Sequence, residues 1–387
     1  MKRIVLLGAT GSIGESTLEV LRKYRDRFQL VGIAANNNFK LLAKIAEEFA
    51  VRDICLFDEK SYVAAKQSGV FSRERNLHVG EEGLNALAML GDADIVVLAM
   101  TGIIGIKPAL AAIAQGKTLA LANKEILVMA GAIVMEAARK HHATILPMDS
   151  EHNAIFQCLL GEKTSTIDSI ILTASGGAFR DYSIEALKQV TPEEALKHPT
   201  WRMGQKITID CATMANKGLE LIEAFWLFDV KVEQLKVLIH PQSIIHSMVQ
   251  FDDGSIKAQM CPPSMTFPIQ NCLLFPERLP PCKATLDFSG SMKLELFHPD
   301  MKRYPCLQLA IDALKAGGVA PAIFNAANEV AVDAFNHRRI EFLKIADLID
   351  KTLQMVFNGS SCQLSLDKVM ETHNYATEVA KKIINEL

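Results

Sequence analysis

The feature that most constrains the fold is a glycine-rich stretch near the N-terminus, Gly8-Ala-Thr-Gly-Ser-Ile-Gly14, which directly follows the apolar run of residues 4–7. The run predicts a buried β-strand, and the apolar spacing of residues 12–24 predicts an amphipathic helix. A glycine loop between such a strand and helix presents backbone N–H groups that can bind a pyrophosphate. We therefore predict a nucleotide-binding loop, with a tight turn that binds nothing as the alternative.

The loop begins an alternation of short apolar runs and helical stretches that continues to about residue 149. The predicted strands are residues 4–7, 30–34, 54–57, 95–99, 118–122 and 144–147. This alternation predicts a parallel sheet covered by helices, and hence an α/β, Rossmann-like N-terminal domain.

Beyond residue 150 the alternation fades into an Ile-rich strand at residues 167–173, a Gly-Ser turn, a proline-containing loop and a helix near residues 212–227. This pattern is typical of an α+β domain. Residues 275–300 are rich in proline and lack periodicity, which predicts a linker, and residues 301–387 are expected to form a C-terminal α-helical bundle.

Charge and composition exclude several function classes. The 41 basic and 44 acidic residues give a formal net charge of −3, so no bulk positive field exists to attract nucleic acid or an anionic membrane. The richest apolar stretch, residues 95–114, is broken by Gly102, Gly105 and Lys107, so no membrane span is expected. The eight cysteines never form a CxxC pair, which suits reduced thiols in the cytoplasm rather than a zinc site.

The end of the predicted second strand bears on the choice of cofactor. An NAD-binding fold usually places an acid there to accept a hydrogen bond from the ribose 2′-hydroxyl. This chain has Asn36-Asn37-Asn38 instead, followed by Lys40. Neutral amides do not repel a 2′-phosphate, so the sequence favours NADP.

Two groups of acids are candidates for a cation site. Asp149 and Glu151 follow a predicted strand, and in extended chain two side chains at this spacing point to the same side. Carboxylates alone form a hard oxygen site that suits Mg²⁺ or Mn²⁺, with a third acid supplied from elsewhere. Glu220, four residues after Asn216 on a predicted helix, is the best source, although a solvated acidic face extended by Glu223 is the alternative.

Two further features are weaker. His152 adjoins the first acids but lacks the spacing of a zinc motif, so we interpret it as structural. Ser175-Gly-Gly177 ends an apolar strand and predicts either an anion-binding nest or a plain turn.

Taken together, five stretches in order resemble the 1-deoxy-D-xylulose 5-phosphate reductoisomerase family. They are the glycine loop, Leu121-Ala-Asn-Lys-Glu125, Met148-Asp-Ser-Glu-His-Asn-Ala-Ile-Phe-Gln157, Asn216-Lys-Gly-Leu-Glu220 and His240-Pro-Gln-Ser243. The resemblance covers essentially the whole chain. It implies an oxidoreductase that rearranges 1-deoxy-D-xylulose 5-phosphate by retro-aldol cleavage and re-addition. The product is then reduced with NADPH to 2-C-methyl-D-erythritol 4-phosphate, for isoprenoid precursor biosynthesis.

The resemblance also implies roles for regions and residues. Residues 1–150 would bind NADPH, residues 151–274 would form the catalytic domain with a flexible flap, and the protein would be a cytoplasmic homodimer. The implied metal ligands for Mn²⁺ or Mg²⁺ are Asp149, Glu151 and Glu220, and the catalytic group adds Lys124 and His198. The implied substrate contacts are Lys124, Ser150, Glu151, Ser175, His198, Trp201, Cys211, Asn216, Lys217 and Glu220. The implied cofactor contacts are Thr10, Gly11, Ser12, Ile13, Asn36, Asn37, Asn38, Asn123, Glu125 and Gly204.

Two positions depart from the family pattern. Cys211 stands where the family has a serine that donates to the substrate phosphate, and a thiol is the weaker donor. Asn36 and Asn37 stand where a basic residue often meets the 2′-phosphate. Two other functions remain open at this point: a metal-assisted, NADP-dependent sugar-phosphate dehydrogenase without skeletal rearrangement, and a non-catalytic NADP-sensing protein.

Overall fold

The computed structural model describes residues 1–201, 203–359 and 364–386. The chain forms two compact units. The first comprises Met1–Ile126, Val134–Asn153 and Met265–Ala284, and the second comprises Leu127–Ile133, Ala154–Ser264 and Thr285–Leu387. The division into regions 1–150, 151–274, 275–300 and 301–387 stays a prediction, because compact units need not coincide with functional regions.

Strands and helices alternate through the first part of the chain, as the sequence predicts. They are β1 (Lys2–Leu7), α1 (Ser12–Lys23), β2 (Phe28–Ala35), α2 (Phe39–Glu48), β3 (Asp53–Leu56), α3 (Glu59–Ser68), β4 (Asn76–Val79), α4 (Gly80–Ala88), β5 (Ile95–Leu98), α5 (Ile106–Ala114), β6 (Thr118–Leu121), α6 (Glu125–Lys140) and β7 (Ile145–Pro147). The strands form one parallel seven-stranded sheet in the order β4-β3-β2-β1-β5-β6-β7.

The centre of this sheet explains where a ligand would bind. Residues 4–7 of β1 are fully buried, as expected for a strand that is covered on both faces. Leu7, the last residue of β1, pairs with Ala34 of β2 on one side and Leu98 of β5 on the other. From β1 the chain adds β2, β3 and β4 towards one edge of the sheet, and it then adds β5, β6 and β7 towards the other edge. Ligands of such sheets bind at the carboxyl ends of the strands where this direction changes, here between β1 and β5.

One strand of the sheet is absent from the sequence-based expectation. The edge strand β4 has no fully buried residue, so its sequence, Asn-Leu-His-Val, lacks the apolar run by which the other strands are recognised. The prediction of six strands was therefore incomplete.

The remaining elements follow in chain order. They are α7 (Ser150–Cys158), β8 (Ile167–Ala174), α8 (Pro192–Ala195), α9 (Gln205–Thr213), α10 (Ala215–Phe228), β9 (Leu235–Ile239), β10 (Ile245–Phe251), β11 (Ile256–Met260), α11 (Thr266–Leu274), α12 (Pro305–Ala316), α13 (Ala320–Asn336), α14 (Lys344–Val356) and α15 (Leu366–Ile383). In the first unit, α11 packs against α1 and β7, and the Lys2 ammonium donates to the carbonyls of Leu273 and Phe275 at the end of α11.

The second unit contains a mixed sheet of order β11-β10-β8-β9, in which β8 and β9 are parallel and β10 runs antiparallel to β8 and β11. Side chains of α10 and α12 pack on this sheet. A second core joins α9, α10, α12, α13, α14 and α15, with Phe324 and Phe335 among its largest buried side chains. The α+β character and the helical C-terminal region are thus confirmed.

The structure corrects two local expectations around the acids. Glu151 lies not in extended chain but in the first turn of α7, so Asp149 and Glu151 are not alternating strand positions. The helix expected over residues 212–227 is two helices, because Met214 adopts a left-handed conformation (φ 58°) between α9 and α10. That break places Asn216 and Lys217 in the first turn of a new helix.

The described cysteines are free thiols, most of them buried, and burial raises the pKa of Cys55 to about 12. Cys362 lies outside the described residues. Among the helices of the described ranges, none combines the length and the apolar character that a bilayer span requires.

Candidate active site

The glycine loop follows β1, at the point where the strand order changes direction, and its backbone makes a tight turn there. Gly8 has a φ of 101°, and its N–H and that of Ala9 donate to the carbonyl of Ala34 at the end of β2. The chain then turns into α1, whose first residue is Ser12 and whose N-terminus carries no side-chain cap. The first-turn N–H groups have no partner within a helix, so this end is suited to an anion.

Gly14 is a position where the glycine loop has no room for a side chain. A Cβ at Gly14 would lie 2.3 Å from the carbonyl oxygen of Gly8 and 2.7 Å from that of Ala9. The loop therefore folds tightly onto the first turn of α1, while Gly11 and Ser12 at its outer edge are exposed. Thr10 and Ile13, which flank this pair in the chain, are half-buried.

The three asparagines lie at the end of β2, where the sequence places them. Asn36 and Asn37 are exposed, and no acid follows the strand. Asn38 has a structural role, because its side-chain oxygen accepts a hydrogen bond from the N–H of Leu41 and caps α2. The neutral surface at this end is compatible with a 2′-phosphate.

Asn123 and Lys124 connect β6 to α6, Glu125 is the first residue of α6, and all three are buried. The Asn123 amide donates to the carbonyl of Gly102 at 2.8 Å, which ties this connection to the chain that follows β5. Both segments follow strands at the carboxyl edge of the sheet. Asn123 and Glu125 therefore lie at the same edge as the glycine loop.

Lys124 contacts the first acid of the candidate cation site. Its ammonium lies 2.8 Å from Oδ2 of Asp149, and both side chains are largely shielded from water. Asp149 precedes α7, and its main-chain carbonyl accepts from the N–H of Asn153 in the first turn. The carboxylate thus lies at a helix N-terminus, where the helix dipole stabilises negative charge.

Ser150 and Glu151 continue this N-terminus. The Ser150 hydroxyl donates to the Glu151 carboxylate, and its N–H donates to Oδ1 of Asp149. The buried His152 imidazole has its Nδ1 atom 3.9 Å from Oδ2 of Asp149. The first unit therefore holds two carboxylates, a lysine and a hydroxyl close together, at the start of α7 and at the connection between β6 and α6.

In the second unit, Glu220 lies on α10 and is only 1 % exposed. Asn216 donates to Oε1 of Glu220 at 2.6 Å, and the buried Lys217 ammonium forms an ion pair with Oε2. The alternative of a solvated acidic face is wrong, since Glu220 and Glu223 are both buried. A buried carboxylate is costly unless a cation and hydrogen bonds compensate it, which Lys217 and Asn216 do here.

A second polar group in the same unit, here called the Ser175 cluster, consists of Ser175, Gly176, Gly177, His198 and Cys211. Gly176 (φ 82°) and Gly177 (φ 72°) turn the chain sharply after β8. A Cβ at Gly177 would lie 2.5 Å from the carbonyl oxygen of Cys211, so this turn is pressed against the end of α9. The Ser-Gly-Gly stretch is therefore a close-packed turn rather than a free loop.

His198 joins the cluster from the loop before α9. Its Nε2 atom is 2.9 Å from the Ser175 hydroxyl, and its Nδ1 atom accepts from the N–H groups of Thr200 and Trp201. Burial lowers the pKa of His198 to about 4, with a smaller effect from the charge of Arg180. The imidazole is consequently neutral near pH 7. Gly204, at the start of α9, is exposed.

Two residues near these groups were not singled out in the sequence. The ring of His246 on β10 lies 6.2 Å from the Trp201 indole in an edge-on arrangement, and burial lowers the pKa of His246 to about 4, helped by the charge of Lys217. Arg180 donates to the Ser175 carbonyl at 3.0 Å. His246 could have been identified from the sequence, because it is a polar residue within an apolar strand. No comparable sequence signal marks Arg180.

Family models match residues 4–131 (1-deoxy-D-xylulose 5-phosphate reductoisomerase), residues 145–228 (the C-terminal domain of that enzyme) and residues 260–379 (DXP reductoisomerase C-terminal domain). A curated relative from Pelotomaculum thermopropionicum, 1-deoxy-D-xylulose 5-phosphate reductoisomerase, is 46 % identical over 387 residues and the whole of both chains.

Solved structures agree. The enzyme of that name from Zymomonas mobilis in complex with NADPH has a TM-score of 0.93 at 44 % identity, over 100 % of both chains. A DOX-P reductoisomerase in complex with NADPH, fosmidomycin and magnesium has a TM-score of 0.93 at 39 % identity, over 100 % of this chain and 98 % of that one. Sequence, fold and the residues described above therefore agree that this chain belongs to the 1-deoxy-D-xylulose 5-phosphate reductoisomerase family.

Proposed function

We propose that this chain is an NADPH-dependent oxidoreductase that rearranges 1-deoxy-D-xylulose 5-phosphate and reduces the product to 2-C-methyl-D-erythritol 4-phosphate. The observation that carries the proposal is the burial of Glu220 together with its Asn216 and Lys217 partners. A buried ion pair such as Lys217–Glu220 typically adds no stability compared with apolar packing. Its presence within a motif that matches the family therefore favours a chemical role.

The divalent cation of this reaction would be held by Asp149, Glu151 and Glu220. Three carboxylates and no thiolate form a hard oxygen donor set, which suits Mg²⁺ or Mn²⁺ and not a zinc-type site. The relative solved with NADPH and fosmidomycin contains magnesium, in agreement with this donor set. When bound, the cation supplies Lewis-acid polarisation of the substrate carbonyl and its neighbouring hydroxyl.

NADPH would bind along the carboxyl edge of the seven-stranded sheet and supply the hydride. Backbone N–H groups of Thr10, Ser12 and Ile13 bind its pyrophosphate, and Gly11 lies against it. Asn36, Asn37 and Asn38 face its 2′-phosphate. Asn123, Glu125 and Gly204 border the nicotinamide end. The helix dipole of α1 favours the diphosphate because positive potential concentrates at its first turn.

The chain's own residues bind the substrate at two ends. Lys124 and Ser150 donate to the reacting oxygens, and the ammonium of Lys124 stabilises negative charge that develops there. Ser175, His198, Cys211, Asn216 and Lys217 bind the phosphate end. Lys217 lies in the first turn of α10, where the helix dipole is already positive and a cation is unfavourable. Its charge and the dipole together give a positive potential that attracts a phosphate.

The loop that includes His198 and Trp201 would close over the bound substrate. Its indole is half-buried and contacts the His246 ring, so a surface for closure exists within the same unit. Closure excludes water from the reacting carbon atoms. We further propose that the enzyme is a cytoplasmic homodimer whose partners are small molecules and a second copy of the chain, with no nucleic acid or membrane.

An assay of NADPH oxidation on a panel of five-carbon sugar phosphates tests the function. We expect turnover with 1-deoxy-D-xylulose 5-phosphate, loss of activity with a chelator, and recovery on adding Mg²⁺ or Mn²⁺. Analysis of the product by NMR separates the alternatives, since only a reductoisomerase yields a branched carbon skeleton. A straight-chain product would indicate a simple dehydrogenase, and no turnover would indicate a sensor.

The departure at Cys211 leads to a prediction about substrate affinity. A serine hydroxyl is a stronger donor than a thiol, so Cys211→Ser should tighten substrate binding by up to about 1 kcal/mol. This is measured as a KM lowered by up to about fivefold with kcat unchanged. Cys282→Ser, in the other unit, is the matched control and should leave KM unchanged; a large fall in kcat for Cys211→Ser would contradict the assignment.

A further inference from the structure

Strand β10 contains one extra residue opposite β11, and that residue is His246. Ile245 pairs with Met260 and Ser247 pairs with Gln259, so two steps along β10 correspond to one step along β11. This arrangement is a β-bulge, which bends the strand and redirects the side chain of the extra residue. Bulges occur often beside active sites, so we asked what holds this one and what its side chain contacts.

The Thr173 hydroxyl hydrogen-bonds the backbone at the bulge. The pairing between β8 and β10 begins at Leu172 and Ser247, one position short of the bulge. The next residue of β8 is the buried Thr173, whose Oγ1 lies 2.7 Å from the carbonyl oxygen of Ile245 and 2.9 Å from that of His246. A buried carbonyl that lacks a donor is costly. The hydroxyl therefore replaces the hydrogen bond that the strand pairing does not supply here.

The His246 ring contacts two other segments of the same unit. Its Nε2 atom lies 3.1 Å from the carbonyl oxygen of Cys261, and because a carbonyl only accepts, Nε2 carries the hydrogen. The ring is also edge-on to the Trp201 indole, with 6.2 Å between the ring centroids. Burial lowers the pKa of His246 to about 4, so the ring is neutral near pH 7 and packs against the indole as an aromatic surface.

We propose that Thr173 is a positioning residue for the loop that includes His198 and Trp201. Its hydroxyl fixes the bulge, and the bulge holds the His246 ring where the Trp201 indole packs. In this role Thr173 touches neither substrate nor cofactor and acts only through His246. The kinetic consequence rests on the proposed function, because that loop is taken to close over the substrate. The contacts from Thr173 to Trp201 do not depend on it.

Two substitutions separate the Thr173 hydroxyl from the volume of the side chain. Valine keeps the branched shape and removes the donor, whereas serine keeps the donor and loses a methyl group. Thr173→Val should raise KM for 1-deoxy-D-xylulose 5-phosphate by about fivefold, the size expected for one hydrogen bond. The change in kcat should be smaller, because bound substrate itself holds the loop closed. Thr173→Ser should stay within about twofold of the wild-type KM.

A second measurement needs no turnover, because the chain has only two tryptophans, Trp201 and Trp226. In a Trp226→Phe background, the emission of the ligand-free protein reports on Trp201 alone. Thr173→Val should shift this emission to longer wavelength and increase its quenching by acrylamide, since the indole leaves the His246 ring for water. Thr173→Ser should leave both properties unchanged.

Trp201→Leu tests whether Thr173 acts through the indole. Adding Thr173→Val to Trp201→Leu should change KM no further, because the contact that the hydroxyl supports is already lost. Thr352→Val is the matched control, since Thr352 is buried in the same unit and its hydroxyl donates to the Leu348 carbonyl at 2.7 Å within α14. It should change neither KM nor the Trp201 emission.

An unchanged KM in Thr173→Val, or a KM effect that persists in full beside Trp201→Leu, would overturn the inference. A lower melting temperature with unchanged Trp201 emission would also overturn it, since a purely structural role gives that result. If Thr173→Val does not fold, His246→Ala takes its place in both measurements, with the same expected results. An inactive wild-type enzyme would overturn the proposed function, and the fluorescence of the ligand-free protein would then decide the inference by itself.

Discussion

Glu220→Gln is expected to lower metal-dependent NADPH oxidation by about a thousandfold or more. The substitution removes one of three proposed carboxylate ligands, and Lewis-acid stabilisation by a divalent cation is worth several kcal/mol, which corresponds to a loss of this size. It also leaves Lys217, buried at 3 % exposure, without the carboxylate that compensates its charge. Steady-state rates at increasing Mg²⁺ or Mn²⁺ concentrations give the measurement.

Three controls make the result specific. Glu233→Gln, at an exposed position after α10, should keep full activity. Binding of NADPH to Glu220→Gln, followed by fluorescence, should be unchanged, because the glycine loop is untouched. The melting temperature shows whether Lys217 destabilises the fold. Retention of metal-dependent turnover by a folded Glu220→Gln enzyme would exclude Glu220 as a ligand.

Gly14→Ala is expected to abolish measurable NADPH binding and to destabilise the protein. The added Cβ would lie 2.3 Å from the Gly8 carbonyl oxygen, and the three nearest atoms all belong to backbone, so moving a side chain does not relieve the overlap. Overpacking of a tight site typically costs about 1–3 kcal/mol, and relief requires the loop to move away from the first turn of α1. The N–H groups that bind the pyrophosphate would move with it.

The measurements are the melting temperature and the NADPH dissociation constant of the full-length protein. Gly91→Ala is the matched control, because Gly91 is exposed in the same unit and a Cβ there would meet nothing within 4 Å. It should leave both quantities near their wild-type values. Unchanged NADPH affinity in Gly14→Ala would show that the loop does not bind the cofactor.

The parts of the fold that local sequence determines were predictable. The buried strands of the first unit are continuous apolar runs, and the glycine loop combines a strand, a turn and a helix within about 20 residues. β4 was missed because an exposed edge strand needs no apolar run. The helix break at Met214 was missed because a left-handed methionine leaves no mark in the sequence; the packing of the folded chain imposes it.

The site was predictable only as a set of residues, and its geometry was not. The match to a family identified Glu220, but its burial is a property of the folded chain. Periodicity alone therefore left a solvated acidic face as an alternative. The hydrogen bond between Ser175 and His198 joins residues 23 positions apart across an irregular loop. No spacing rule predicts such a contact, because it depends on how the loop returns to the end of β8.

The discontinuous make-up of the first unit has a consequence for biosynthesis. Its last segment, Met265–Ala284, includes α11, which packs against α1 and β7. The chain must therefore be synthesised as far as Ala284 before this layer can be completed, although the parallel strands, the last of which ends at Pro147, emerge much earlier. Nascent chains shorter than this expose the apolar surface that α11 covers. During this stage of translation, the exposed surface is available for a chaperone to bind.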